Sequence, residues 1–130
     1  MLFDEQLLFS DAQAITADAA STKTVETNGD IAKGIPVPIH IQVVEDFNNL
    51  TSLTVKVQTS ADSAFTSPVT LQEATLALAN LKAGEVFPIN YLPTGIKKYI
   101  RLYYDIDGTT APTTGKITAG IVIALDQRAK

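Results

Sequence analysis

Three stretches of this chain alternate apolar and polar residues with a period of two, and that pattern restricts the fold more than any other feature. In SLTVKVQ, residues 52–58, Leu53, Val55 and Val57 fall on one side and Thr54, Lys56 and Gln58 on the other. Successive side chains of a strand point to opposite faces, so the pattern marks a strand with one buried face. Residues 97–107 repeat it, with Ile100, Leu102, Tyr104 and Ile106 as the inner set and Tyr99, Arg101, Tyr103 and Asp105 pointing away. Residues 117–125 do so again through Ile117, Ala119, Ile121, Ile123 and Leu125.

Five further segments, 6–16, 22–28, 37–45, 69–78 and 85–91, are rich in β-branched or aromatic residues and bounded by Gly, Pro, Asn, Asp or Ser clusters. Pro36 and Pro38 make the third an edge or strand-entry segment, since proline cannot donate to a ladder. Residues 71–84 leave two readings open. Leu71, Ala74, Leu78 and Leu81 sit at helical spacing, while Thr75 to Leu78 can extend the strand that begins near Val69. Either way the chain reads as all-β: an antiparallel, jelly-roll-like β-sandwich of seven or eight strands with at most one short helix. A doubly wound parallel fold needs strands alternating with long helical patterns, which this sequence lacks. At 130 residues it is expected to form one domain, 1–130, and to bury about two thirds of the surface its unfolded form exposes.

The motif that most suggests chemistry is YYDIDGTT, residues 103–110. An apolar run ending in Asp-x-Asp-Gly-Thr resembles the opening motif of the haloacid-dehalogenase phosphatases, whose first Asp attacks phosphate. That family needs later catalytic residues carried on crossover helices, and only 22 residues follow Gly108. The stretch reads better as a hairpin loop between two alternating strands, since Asp, Gly and Pro are what turns require. A calcium loop starting at Asp105 would place Thr110 where Gly is needed and Lys116 where the bidentate Glu belongs.

Other constellations are equally thin. There is no cysteine, so thiol chemistry and disulfides are excluded, and His40 is the sole histidine. It belongs on the polar side of a strand, with Ile39 and Ile41 opposite. Ser10, His40 and Asp11 could compose a triad only without any nucleophile elbow. Glu45-Asp46 beside Phe47-Asn48-Asn49 reads as a solvated turn, and Asn49-Leu50-Thr51 matches a glycosylation acceptor without a secretory route to use it. No Gly-rich phosphate loop exists. The expectation is a protein that is not an enzyme and takes no catalytic residues, metal or cofactor. Net charge is −4 and the ten basic residues are scattered except for Lys97-Lys98, which argues against nucleic acid. The N-terminus MLFDEQLLF carries Asp4 and Glu5 where a secretory signal carries cations, and its apolar run is too short for a bilayer, so no membrane partner is expected.

What remains is surface. Tyr99, Arg101 and Tyr103 share the outward face of one strand, and tyrosine with arginine is the pairing enriched at protein interfaces. Leu2, Phe3, Leu7, Leu8 and Phe9 are too many apolar groups for a free tail, so residues 1–15 either enter the core or dock on a neighbouring subunit. The candidate interface is therefore Phe3, Leu7, Leu8, Phe9, Tyr99, Arg101 and Tyr103.

Three stretches carry a resemblance. QLLFSDAQAIT (6–16), QTSADSAFTSPVTL (58–71) and above all LPTGIKKYIRLYYDIDGTTAPTTGKITAGIVIAL (92–125) resemble the capsid cement, or decoration, proteins of tailed bacteriophages, the group typified by the cement protein of a Bordetella podovirus. Residues 22–50 carry none of it. The resemblance implies a jelly roll on the outside of an icosahedral shell, made in the bacterial cytoplasm. Its implied partners are the major capsid protein and copies of itself, as a dimer before a trimer. The alternative from another class is a glycan- or receptor-binding sandwich of a phage tail or fibre, with Tyr91, Tyr99 and Tyr103 stacking on sugars and Asn90 and Asp105 accepting hydroxyls.

Overall fold

The protein, seen in a computed structural model, is described for residues 3–26, 38–89, 91 and 95–122, with the backbone alone at 3–7 and 122. Eight strands follow in order: β1 Phe3–Ala14, β2 Ala19–Ala20, β3 Val25–Glu26, β4 Ile39–Glu45, β5 Ser52–Ser60, β6 Val69–Ala77, β7 Tyr99–Asp107 and β8 Lys116–Val122. They form two antiparallel sheets. One has the order β1-β8-β4; the other runs β2-β7-β5-β6, with β3 also on β7.

Strands β2 and β3 occupy one lane. Ala19 and Ala20 face Tyr104 and Tyr103, and further along the same edge Val25 and Glu26 face Ile100 and Tyr99. Ser21 spans the gap between them: its backbone N–H donates to the Leu102 carbonyl (2.7 Å) and its hydroxyl accepts from the Leu102 N–H (3.1 Å). Residues 84–91 supply a fourth lane beyond β4. The Gly84 N–H donates to the Val43 carbonyl, the Val43 N–H to Glu85 and the Phe87 N–H to Ile41, and two single bridges join Gln42 to Val86 and Pro38 to Tyr91. In chain order the lanes thus pair first with eighth, second with seventh, third with sixth and fourth with fifth. The β8·β4 and β7·β5 contacts then roll this nested ribbon into two sheets, which is the jelly roll.

The strand expected at 85–91 is only this bridged segment. Pro88 has no N–H to give, and the Ile89 N–H turns back to the Phe87 carbonyl (2.8 Å), so the ladder breaks there. At 71–84 the strand reading holds through Ala77, and a 3₁₀ turn at Leu78–Asn80 follows. The helical spacing there has a β origin. A bulge opposite Val57 and Gln58 shifts the phase of β6, so that Leu71 joins Ala74 and Leu76 against the core.

The expected hairpin between the last two strands does not form. β7 pairs with β5 and with β2 and β3, β8 pairs with β1 and β4, and residues 108–115 cross from one sheet to the other. The alternation itself is kept. Ile100, Leu102 and Tyr104 of one sheet meet Ile117, Ala119 and Ile121 of the other in the core, with Leu53, Val55, Val57, Ile39, Ile41 and Val43 around them. Full burial of such an aliphatic side chain stabilises by roughly 1.5–3 kcal/mol.

Candidate interaction surface

The outward residues of β7 and β5 form the most elaborated face of the molecule. Tyr99, Arg101, Tyr103 and Asp105 alternate with the core set and are half-buried. Register sets each opposite its neighbour: Arg101 faces Gln58, Tyr103 faces Lys56 and Asp105 faces Thr54. The Arg101 Nε–H donates to Gln58 Oε1 (2.9 Å), and the Gln58 amide donates onward to the Thr70 hydroxyl of β6 (3.3 Å). Its guanidinium carbon stands 4.4 Å from the Phe65 ring centroid and 5.5 Å from that of Tyr103, within cation–π range of both. Partial burial lowers the Arg101 pKa, opposed by the charge of Tyr103, and the group stays a cation. Lys56 pairs with Asp105 at 3.2 Å, and Lys98 lies 3.6 Å from Glu26 and 5.7 Å from the Tyr99 ring centroid.

Phe65 belongs to a loop that the sequence reading passed over. It is buried, and its φ of +53° is a left-handed conformation rare for any side chain but glycine, Asn or Asp. Asp62 fixes the turn: its carboxylate accepts from the Ser60 hydroxyl (2.8 Å) and the Thr66 hydroxyl (2.8 Å), while its carbonyl accepts from the Phe65 N–H (3.2 Å). Those hydroxyl bonds, Thr66 first and Ser60 second, hold the carboxyl below its usual range. The closely spaced Ser, Asp and Thr of SADSAFT are the signal of such a turn.

The loop carrying the phosphatase-like motif is anchored as a structural crossing. Asp105 is engaged by Lys56 on the sheet face, and the Asp107 carbonyl accepts from the Thr51 N–H (2.8 Å). Gly108 has a φ of +137°, and a Cβ there would stand 2.7 Å from the Thr51 nitrogen. The far side of the loop is held by the segment read as a solvated turn, which is instead a clamp. Asn48 Oδ1 accepts from the Thr113 and Thr114 N–H groups (2.8 and 3.2 Å), and its Nδ2–H donates to the Thr113 hydroxyl (2.8 Å). Glu45 Oε1 accepts from the Gly115 N–H (2.9 Å), and Asp46 Oδ1 from the Ala83 N–H (2.7 Å). Phe47, between them, is buried.

The would-be triad is dispersed. Ser10 faces the core, where its hydroxyl bonds to the Tyr104 hydroxyl (2.7 Å) and donates to Gln13 Oε1 (2.6 Å). His40 lies on the other face of that sheet, paired in register with Gly120, its Nε2 3.0 Å from Gln42 Oε1. Asp11 is exposed. Burial pushes the Tyr104 phenol well up from its ordinary value, partly offset by the Ser10 bond. Through Gln13, whose amide oxygen also accepts from the Thr22 N–H (2.9 Å) and whose amide nitrogen donates to the Ala20 carbonyl (3.1 Å), this network ties β1 to the β2 lane and to β7. Among the described residues no group of three or more His, Asp or Glu is placed to hold a metal ion.

Of the N-terminal candidates, Phe9 is fully buried in the core and Leu8 nearly so, whereas the side chains of Phe3 and Leu7 lie outside the described residues. Tyr99, Arg101 and Tyr103 are brought together as expected from their alternation. Tyr91 is not with them: it is bridged to Pro38 on the edge of the other sheet, and Asn90 lies outside the described residues. No helix among the described residues is long and apolar enough to cross a membrane.

The described residues thus form a jelly roll whose polar side chains fix the crossing between its sheets and whose outer face on β7 and β5 carries aromatic and charged groups. The Bbp16 family model matches residues 9–122, a span that reaches into all eight strands. The chain belongs to the Bbp16 family, a family of Bordetella phage proteins, and is a bacteriophage structural protein of the virion. No curated protein matches it.

Proposed function

We propose that this protein is a capsid cement: it binds the outer surface of the assembled shell, clamps neighbouring major capsid subunits and associates with its own copies, as a dimer before a trimer. The observation that carries this reading is the family match across the whole sandwich, and the face of Tyr99, Arg101 and Tyr103 supplies a surface suited to protein contact. The N-terminal contact narrows to Phe3 and Leu7, because Leu8 and Phe9 are buried within this chain. Cementing needs no catalysis. A protein that binds the closed shell and not its separated subunits stabilises it by mass action, about 2.7 kcal/mol per site at a free concentration of 100 Kd.

The experiment is co-sedimentation of the purified protein with mature capsids stripped of decoration, scoring bound copies and the shell's melting temperature. Saturable binding with a raised melting temperature is the expected result. Binding to isolated tails or fibres, with none to capsids, would overturn it in favour of a tail module.

A further inference from the structure

We propose that Arg101 is the anchor of this face, its guanidinium held ready for a carboxylate presented by a neighbouring major capsid subunit. The inference rests on the cement reading and names the chemistry of its contact. A guanidinium carries five N–H donors in a planar fork matched to a carboxylate. In Arg101 the Nε–H is committed to Gln58, and no carboxylate lies within ion-pair distance of the group among the described residues. Of the acids on this face and its adjoining turn, Asp105 holds Lys56, Glu26 holds Lys98, and Asp62 accepts from the Ser60 and Thr66 hydroxyls. Among the described residues Arg101 thus has no counter-ion, although it is partly desolvated.

The side chain is also pre-organised. Phe65 and Tyr103 flank the guanidinium at 4.4 and 5.5 Å, and Gln58 fixes its inner edge. Phe65 reaches this position only through a left-handed backbone, the kind of local strain that persists where the surroundings over-determine it and that collects at binding sites. Holding the fork before the partner arrives reduces the ordering cost of association. The partner is the capsid and not a second copy. Two copies meeting about a two-fold axis near Arg101 would set the guanidiniums against each other, so self-association is left to another part of the surface.

The test compares wild type, Arg101→Lys and Arg101→Gln for binding to stripped capsids at about 50 and 300 mM salt, conditions that differ widely in screening. Sedimentation velocity of each protein alone and its melting temperature accompany the binding data. Arg101→Gln is expected to raise the apparent Kd about tenfold or more and to flatten its salt dependence. Arg101→Lys keeps the charge but loses the fork and the stacking, and is expected to recover only a minor part of the loss. It also decides the question if the Gln variant melts early. Wild-type affinity and salt response in both variants would overturn the proposal. So would altered self-association with capsid affinity intact, which would place Arg101 between copies. Failure of the wild type itself to bind capsids would sink the cement reading, and this inference with it, before any variant is compared.

Discussion

Replacing Gly115 by Ala tests whether the crossing between the two sheets is held by packing. Gly115 has a φ of +130°, and a Cβ there would overlap Cδ2 of Phe47 and stand 2.5 Å from its Cγ, the ring being buried under the loop. Two costs add: the backbone conformation, roughly 1–2 kcal/mol for a residue with a side chain, and displacement of a packed ring, about 1–3 kcal/mol. Gly84 is the control, with a φ of +98° and nothing within 4 Å of the added methyl, so Gly84→Ala carries the first cost alone. Unfolding entropy of about 2.1 cal/mol/K per residue gives about 0.27 kcal/mol/K for this chain of 130 residues. A loss near 3.5 kcal/mol therefore lowers Tm by about 13 °C, against about 4–7 °C for Gly84→Ala. Thermal unfolding followed by circular dichroism reads both, and on a Phe47→Leu background the extra penalty at Gly115 is expected to shrink. If Gly115→Ala melts no lower than Gly84→Ala, the ring is not pinned as described and the crossing owes its shape to something else.

Three further outcomes follow from the same contacts. Asn48→Ala frees the Thr113 and Thr114 N–H groups and is expected to cost about 1–2 kcal/mol, with faster hydrogen exchange at those two amides than at the β7 core; unchanged protection there would show that the clamp is redundant. Tyr104 has its pKa raised in the folded state, so its contribution is fully present below the unfolded value of about 10 and lost as pH rises above it. Denaturation midpoints measured from neutral to strongly alkaline pH should fall more steeply for wild type than for Tyr104→Phe, and parallel curves would remove Tyr104 from the account. Ser10→Ala leaves a buried phenol without its partner and is expected to destabilise by about 1–3 kcal/mol, more than Tyr104→Phe, which leaves Ser10 bonded to Gln13.

Period-two alternation made the lanes of the sandwich legible. Each expected strand segment corresponds to a lane, although the second, expected at 22–28, contains β3 and misses β2 at Ala19–Ala20, and the sixth is reduced to bridges by Pro88. The order of those lanes was hidden, because alternation says which face a residue takes and nothing about which strand lies beside it. The stretch after Asp107 shows the limit. Asp-Gly followed by Pro and Gly marks a reversal, yet the same residues serve a hairpin and a crossing between sheets. What decides between them is Asn48 and Thr51, more than fifty residues earlier, bonding to the loop and holding it across the end of the sandwich.

The candidate surface divides along the same line. That Tyr99, Arg101 and Tyr103 share an outward face follows from their spacing; that Arg101 is gripped does not, because Gln58 and Phe65 come from another strand and its following turn. Gln58, Phe65 and Arg101 all lie within the span that the Bbp16 family model matches. Residues well separated along the chain thus meet around one guanidinium. The crossing loop behaves differently. Its anchor Asn48, also within the matched span, acts only on the backbone N–H groups and hydroxyl of Thr113 and Thr114. A clamp that only needs to accept two backbone N–H groups can be rebuilt from other short polar side chains. A guanidinium within cation–π range of two rings is harder to replace, since a lysine there keeps the charge and loses the planar fork.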